Sequence, residues 1–528
     1  MASQKLFLSG NEAVAKACVD FGCDFASGYP GTPSTEILES LSAYRSVNCS
    51  WAPNEKVALE LCIGASFAGA RSLATMKHVG LNVASDPFMT LSYTGVKGGL
   101  VVVSCDDPSL HSSQNEQDNR HYAQFAKVPM LEPSSSGEVY HFLKHAFSIS
   151  ERYDTPVLFR MTTRISHSKG IVHTDKPIKI NKLFNFDLDD QKYVMIPSYA
   201  RKRHIFVEKR LCKLQSLSEK IPINIFEKGK GNTLIVCSSV SYQYVKEACP
   251  DAPVFKLGMS YPLPIAKIKR TAQRFKKILC IEELDPFIEM HLLYHGVSRI
   301  VKRNPSFYIG ELNPDRVRSM IMRNQDYAPK KPPKHAAPPK PPALCKGCPH
   351  IFMFELFKKY RLNVSGDIGC YTLGTLPPYN SLHACIDMGA SIPIGLGMRE
   401  VLPVKKGKKV ISVIGDSTFI HSGITGIVDA VYNNRKGIIV ILNNNATAMT
   451  GCQDHPGTGI TLLGKETHPL DFYELCKACG VRNVYTVDPY KKKETEEVLK
   501  AAIEKDELTA IVANRECILN ANKRSVKT

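Results

Sequence analysis

The chain of 528 residues has 43% hydrophobic and 22% charged side chains, a composition that excludes a wholly disordered, collagen-like or disulfide-stapled protein. At about 100–200 residues per domain, that length holds about three or four domains. Sixty-eight Lys and Arg against 50 Asp and Glu leave a net charge of +18, which admits nucleic acid, anionic substrates or an acidic partner protein without choosing among them.

The opening MASQKLFLSGNEAV interrupts its apolar stretch with Gly10, Asn11 and Glu12, so it lacks the core of a secretory signal. No uncharged apolar run approaches the roughly 18 residues that span a bilayer, and a cytoplasmic protein with no membrane span is expected. In that reducing setting, 17 cysteines read as metal or redox ligands more readily than as disulfides. Residues 1–175 alternate helical periods with short β-branched runs such as Leu100–Ser104, an α/β pattern. Within them, Tyr29–Thr35 joins a strand to a helix that Ser34 and Thr35 are placed to cap, and Asn54–Glu60 opens another helix. Residues 176–228 are basic and irregular and read as a connector. A second α/β unit, 229–326, carries the buried-strand runs TLIVCSS and KKILCIEEL. Residues 327–342, YAPKKPPKHAAPPKPP, hold seven prolines and four lysines and form an extended linker. The basic clusters at Arg201–His204, Lys228 to Lys230, Lys405–Lys409 and Lys491–Lys493 lack interleaved aromatics and any recognition motif, so nucleic acid is not an expected partner.

The last domain, 343–520, carries the most informative constellation. Val410–Ile414 is a short apolar run that delivers Gly415, Asp416 and Ser417 at its carboxyl end, where a loop is expected. Ile424, Ile427, Val428 and Val431 follow at helical spacing, and a second run, Ile438–Leu442, ends in Asn443–Asn445. One strand–helix–strand unit thus ends in an acid and an amide, at the edge where open α/β sheets bind ligands. Hard oxygen donors there suit Mg²⁺ together with phosphate.

Gly415-Asp416-Ser417, 25 residues and then Asn443-Asn444 resembles the thiamine-diphosphate signature, with Ser417 where Gly is usual. The same loop's backbone N–H groups remain available to a phosphate. Further motifs extend the likeness: Tyr29–Glu36, Gly10-Asn-Glu-Ala, Gly80–Pro87, His111–Asp118, Tyr261–Pro264, Glu282–Phe287, Gly366–Gly374, Met388–Ser391, Thr447–Gly451 and HPGTG from His455. Over nearly the whole chain, residues 176–228 least, these resemble the large (alpha) subunit of the indolepyruvate ferredoxin oxidoreductases.

The resemblance implies a multidomain α/β fold with a pyrimidine-binding-type thiamine domain, a transketolase-C-terminal-like middle domain and a diphosphate-type thiamine domain. It places Gly415, Asp416, Ser417, Asn444, Ala446, Met388 and Gly389 at the cofactor, and assigns Mg²⁺ to Asp416, the Asn444 side chain and the Ala446 carbonyl. Glu55 becomes the carboxylate that bonds N1′ of the cofactor's pyrimidine and Thr32 a group bonding the substrate. By residue type alone, Lys77 and His78 could also neutralise its carboxylate, although Lys77 reads equally as a surface residue. Cys345, Cys348, Cys370 and Cys517 become the ligands of a [4Fe-4S] cluster, although zinc also suits four thiolates. The family usually writes Cys-Pro-Gly-Cys where this chain has Lys346. Cys476 and Cys479 share the C-x2-C spacing inside a helical pattern and read as core residues, and Cys452 has no partner by spacing.

The activity implied is oxidative decarboxylation of an aryl 2-oxo acid to an acyl-coenzyme A, with ferredoxin reduced in two single-electron steps. The common form of the subunit continues into a ferredoxin-like domain with two C-x2-C-x2-C runs, which do not appear before Thr528. Electrons are therefore expected to pass to ferredoxin or a separate ferredoxin-like subunit, in a hetero-oligomer with a smaller subunit. Two alternatives are a non-oxidative thiamine-dependent decarboxylase and a catalytically inactive scaffold subunit.

Overall fold

Every residue of the run Leu100–Asp106 is buried, because it is an interior strand of a seven-stranded sheet. The order across that sheet is Met259–Tyr261, Met130–Leu131, Val157–Thr162, Leu100–Asp106, Ser72–Lys77, Phe25–Gly28, Asn48–Trp51. All neighbours run parallel except Met259–Tyr261, which pairs antiparallel with Met130–Leu131. The computed structural model describes residues 4–178, 184–323 and 342–521. The chain divides into two compact units, Met1–Lys331 and Pro332–Thr528. The linker expected at 327–342 lies outside the described residues apart from Pro342. Among the described residues, no helix is long and apolar enough to cross a membrane.

The first unit holds a second sheet, in the order Ile300–Val301, Lys277–Ile281, Thr233–Ser238, Val254–Leu257, Ile225–Glu227, with the last strand antiparallel to its neighbour. Met259–Tyr261, expected in the middle domain, joins the seven-stranded sheet instead. A boundary near 229 therefore does not separate the two sheets.

The segment read as an irregular basic connector contains a 22-residue helix, Pro197–Ser218. Its buried positions are Val207, Arg210, Leu214 and Ser218, a helical stripe that two polar residues conceal from a hydrophobicity pattern. The arginines serve the neighbouring helix Ser85–Thr94: Arg203 Nε donates to the Tyr93 carbonyl at 2.6 Å and Arg210 Nη2 to the Ser92 carbonyl at 2.8 Å. Cations bonding the last carbonyls of a helix satisfy acceptors that have no partner within it.

Charge is also buried within this unit. Arg120 pairs with Asp118 and with Glu282, each at 2.5 Å, and Arg160 pairs with Asp106 at 2.7 Å and Glu132 at 2.5 Å. These side chains are at most 2% exposed, so removing one partner would strand a buried charge, a change that costs about 3–5 kcal/mol. Glu283 lies beside them, and burial pushes its carboxyl up from 4.5 to about 7 although the Leu312 N–H bonds it at 3.0 Å. Between those values the folded chain keeps a proton that the unfolded chain has lost. The stability gained is complete below the unfolded value and fades as pH rises through the folded one. Glu283→Gln is neutral at every pH, so its melting temperature should rise relative to wild type between about pH 5 and pH 8. A constant difference across that range would contradict this.

The second unit is built on a five-stranded, all-parallel sheet in the order Asn363–Ser365, Val410–Gly415, Gly437–Asn443, Leu508–Asn514, Asn483–Val487. The expected loop after Gly415 is absent. Asp416 begins helical structure at once, a π-turn spans Phe419–Gly423, and the α-helix Ile424–Tyr432 continues from it. The stripe facing the sheet is Gly423, Gly426, Ile427 and Ala430, while Val428 of the expected stripe is 51% exposed. Small residues allow close approach: a Cβ on Gly426 would lie 2.9 Å from Ile392 Cγ2.

Candidate active site

Strand register brings the acid and the amide together. Gly415 pairs with Leu442, so Asp416 and Asn444 leave adjacent strands at the same carboxyl edge. Asp416 is buried; its Oδ1 accepts the Ser417 N–H at 2.8 Å and its Oδ2 the Asn444 N–H at 3.0 Å. Asn444 Oδ1 accepts the Ala446 N–H at 3.2 Å. Thr447 Oγ1 lies 3.0 Å from Ser417 Oγ and joins the two segments.

Two histidines that the sequence did not single out for a role flank this pair. His350 is buried, and its Nε2 lies 3.2 Å from Asn444 Nδ2. Burial holds the imidazole down at about 4, with the Asp416 charge opposing, so it is neutral at neutral pH and accepts from the amide. His455 Nδ1 accepts the Gly457 N–H at 3.1 Å, which leaves the proton on Nε2. That Nε2 is 3.2 Å from Asp416 Oδ2 but lacks hydrogen-bond geometry, and among the described residues this buried atom has no hydrogen-bond partner. Both lie in sequence motifs: His350 closes Cys345-Lys-Gly-Cys-Pro-His and His455 opens HPGTG.

Asp367, within the Gly366–Gly374 motif, organises the neighbouring loops. Its Oδ1 accepts the N–H groups of Ile368 and Gly389, each at 2.9 Å, and its Oδ2 that of Ser391 at 3.0 Å. Gly389 has φ +96° and a Cβ there would fall 2.6 Å from Ser422 Cβ, so only glycine fits where the half-buried Met388 turns toward the helix.

The cysteines gather at the same unit's sheet edge. Cys348 N–H bonds the Cys345 carbonyl at 2.9 Å, Cys517 N–H bonds the Asn444 carbonyl at 2.9 Å, and a Cβ on Gly347 would lie 3.1 Å from Ile518 Cδ1. The His350 ring meets the Tyr371 ring edge-on at 6.2 Å, which ties the first pair to the turn carrying Cys370. Burial pushes the Cys370 thiol up to about 12, and Cys348, Cys517, Cys345 and Cys452 raise it further by their charge. Cys348 is pushed up to about 11, again by burial first, with Cys345 and Cys517 contributing. A single zinc would hold four sulfurs within about 4 Å of each other. Among the described residues, the one group of three or more ligand atoms within 4.8 Å is instead Asp118, His121 and Asp285 in the first unit. Cys476 lies in the core against Ile439 and Phe472 with Cys479 packed on that cluster, as the helical pattern implied.

In the first unit Glu55 starts the helix Glu55–Phe67, which Asn54 caps by accepting the Val57 N–H at 2.9 Å. Glu55 is buried, and a Cβ on Gly80 would lie 2.6 Å from its Oε1, so Gly80 leaves room for the carboxylate. Glu60 is exposed and pairs with Lys56. The Tyr29–Thr35 loop sits at the carboxyl end of Phe25–Gly28. The expected cap is not made: Ser34 Oγ turns back to the Gly31 carbonyl at 2.8 Å because Ser34 itself is helical, at φ −98° and ψ −9°. Asn11 Nδ2 fixes the loop through the Pro33 carbonyl at 2.8 Å, and the half-buried Thr32 accepts Ser112 Oγ at its carbonyl at 3.2 Å. His78 Nε2 lies 3.1 Å from the Asn115 carbonyl, and burial holds that ring neutral, at about 4.

Residues 367–513 match the thiamine pyrophosphate enzyme C-terminal TPP-binding domain, and residues 16–211 match the thiamine-diphosphate-binding domain of pyruvate flavodoxin/ferredoxin oxidoreductases. The indolepyruvate oxidoreductase subunit IorA of Archaeoglobus fulgidus is 37% identical over 98% of this chain and 87% of its own length. The chain belongs to the IorA subunit family. The IorA proteins of Methanothermobacter thermautotrophicus and Pyrococcus abyssi are each 38% identical over 98% of this chain, covering 87% and 86% of their own lengths. This IorA family member is thus an oxidoreductase subunit with two thiamine-diphosphate-binding domains on α/β folds. The first match reaches residue 211, well into the helix read as a connector, whereas Cys345, Cys348 and Cys517 fall outside both matches.

Proposed function

We propose that this IorA family member, with a smaller partner subunit, catalyses the oxidative decarboxylation of aryl 2-oxo acids such as indolepyruvate to the acyl-coenzyme A, passing electrons to ferredoxin or a ferredoxin-like subunit. What supports the reading most is the convergence of a buried carboxylate and a side-chain amide, Asp416 and Asn444, with an unpartnered N–H of His455 beside them. Oxygens from Asp416, Asn444 and the Ala446 carbonyl suit Mg²⁺, and the His455 Nε2–H suits a phosphate oxygen. Gly415, Ser417, Met388 and the Asp367-held Gly389 would line the cofactor. Glu55 would hold a proton toward the pyrimidine nitrogen, from a pocket whose burial keeps water from competing for it. The Thr32 hydroxyl would orient the substrate. Cys345, Cys348, Cys370 and Cys517 would hold a [4Fe-4S] cluster, whose charge relieves their mutual repulsion. When bound, thiamine diphosphate supplies the nucleophilic carbon and the electron sink for loss of carbon dioxide, and the cluster supplies single-electron transfer.

Anaerobic incubation of the complex with indolepyruvate, coenzyme A and ferredoxin tests the reading. Acyl-coenzyme A and reduced ferredoxin are expected; release of carbon dioxide and an aldehyde without reduced ferredoxin would contradict it. For the metal residues, Asp416→Asn should weaken thiamine diphosphate binding by about 100-fold in a calorimetric titration with Mg²⁺. A chelator should do the same to wild type. Unchanged affinity in the variant would remove Asp416 from the assignment.

A further inference from the structure

Lys77 is the last residue of the strand Ser72–Lys77, one strand away from the end of Phe25–Gly28 that leads into the Tyr29–Thr35 loop. Its stem lies along that loop, since a Cβ on Gly31 would stand 3.2 Å from both its Cγ and its Cδ. Its ammonium donates to the Ser112 carbonyl at 3.0 Å, and Ser112 Oγ in turn bonds the Thr32 carbonyl. The charge of Glu55 reaches Lys77, so the cation, the buried glutamate and the loop share one neighbourhood.

Carboxylates lie near the cation without contacting it. Among the described residues, no carboxylate forms an ion pair with Lys77. The nearby Asp107 is committed elsewhere: Oδ2 accepts the Ser112 N–H at 2.8 Å and Ser113 Oγ at 2.7 Å, and Oδ1 accepts Thr163 Oγ1 at 2.7 Å. Lys77 is half-buried; burial disfavours its charged form, and the charges of Asp107 and then Glu55 oppose that effect. An ammonium has three N–H donors, and the Ser112 carbonyl takes one. A cation held in this way is arranged for an incoming anion.

We infer that Lys77 receives the carboxylate of the 2-oxo acid, beside Thr32. The inference rests on the functional reading above, in which Glu55 and Thr32 attend the reacting end of the cofactor and the substrate, so that the anion due beside them is the substrate's carboxylate. Every 2-oxo acid carries that carboxylate next to the reacting carbonyl, whatever its side chain. Lys77 therefore sets affinity for the class and leaves side-chain preference to other residues.

The test is steady-state kinetics of the complete complex with wild type, Lys77→Met and Lys77→Arg, using indolepyruvate and two 2-oxo acids with other side chains. Lys77→Met should raise KM by about 10- to 100-fold for all three, the loss of one charge-assisted contact. KM for coenzyme A and the affinity for thiamine diphosphate should stay within about twofold, and Lys77→Arg should recover most of the loss. The uncharged 2-oxo amide of the substrate gives a readout on wild type alone: as an inhibitor it should bind more weakly than the acid by the same factor. An unchanged KM in Lys77→Met, a loss confined to coenzyme A or the cofactor, or equal binding of acid and amide overturns the inference. A wild-type complex that binds thiamine diphosphate yet turns over no 2-oxo acid overturns the functional reading itself.

Discussion

Glu55→Gln should lower kcat by about 10²- to 10⁴-fold, the contribution of a positioned proton-transfer group, while the fold and melting temperature stay close to wild type. The substitution is isosteric, so the close contact with Gly80 survives, and the Asn54 cap of the same helix does not involve the changed atoms. What changes is that an amide N–H can bond the pyrimidine nitrogen but cannot give up its proton to it as a carboxyl can. The loss should appear in kcat, with thiamine diphosphate affinity shifted by less than about tenfold, because Glu55 contributes one of many cofactor contacts on this reading. Turnover equal to wild type would reduce Glu55 to a residue whose helix N-terminal position merely suits the helix dipole.

Cys370→Ser should strip most of the iron from the anaerobically purified complex and abolish ferredoxin reduction. After burial, the charges of Cys348, Cys517, Cys345 and Cys452 all bear on the Cys370 thiol. Serine keeps the size and loses the soft thiolate that iron–sulfur clusters require. Cys476→Ser is the matched control: its thiol lies in an apolar cluster, so the change should cost stability and leave the iron content alone. Retention of iron in Cys370→Ser would remove Cys370 from the ligand set.

Much of the second unit was legible because its strands are continuous apolar runs. Val410–Gly415 and Gly437–Asn443 are buried throughout, as β-branched runs in a parallel sheet must be, and their ends follow directly. The helix between them was placed correctly but rotated, because glycines at 423 and 426 are invisible to a hydrophobicity pattern and yet mark the closest contact. The helix at 197–218 was hidden for the same kind of reason: Arg210 occupies a buried position whose function is to bond carbonyls.

At the site, residue type revealed the acid, the amide and the paired cysteines, but not their surroundings. His350 and His455 matter through burial and the direction of a ring nitrogen, and Lys77 through its place against the Tyr29–Thr35 loop; neither property belongs to a single residue. The cap expected from Ser34 failed on one backbone conformation, which propensity does not specify.

The proposed function requires one chain to hold both the thiamine cofactor and an iron–sulfur centre that accepts its electrons. The direct measurement is to purify the complex without oxygen, determine thiamine, magnesium and iron, and follow visible absorbance on adding indolepyruvate. About one thiamine diphosphate and about four irons attributable to this chain, with absorbance bleached by the substrate, are the predicted result. A colourless chain that still decarboxylates the substrate would contradict it.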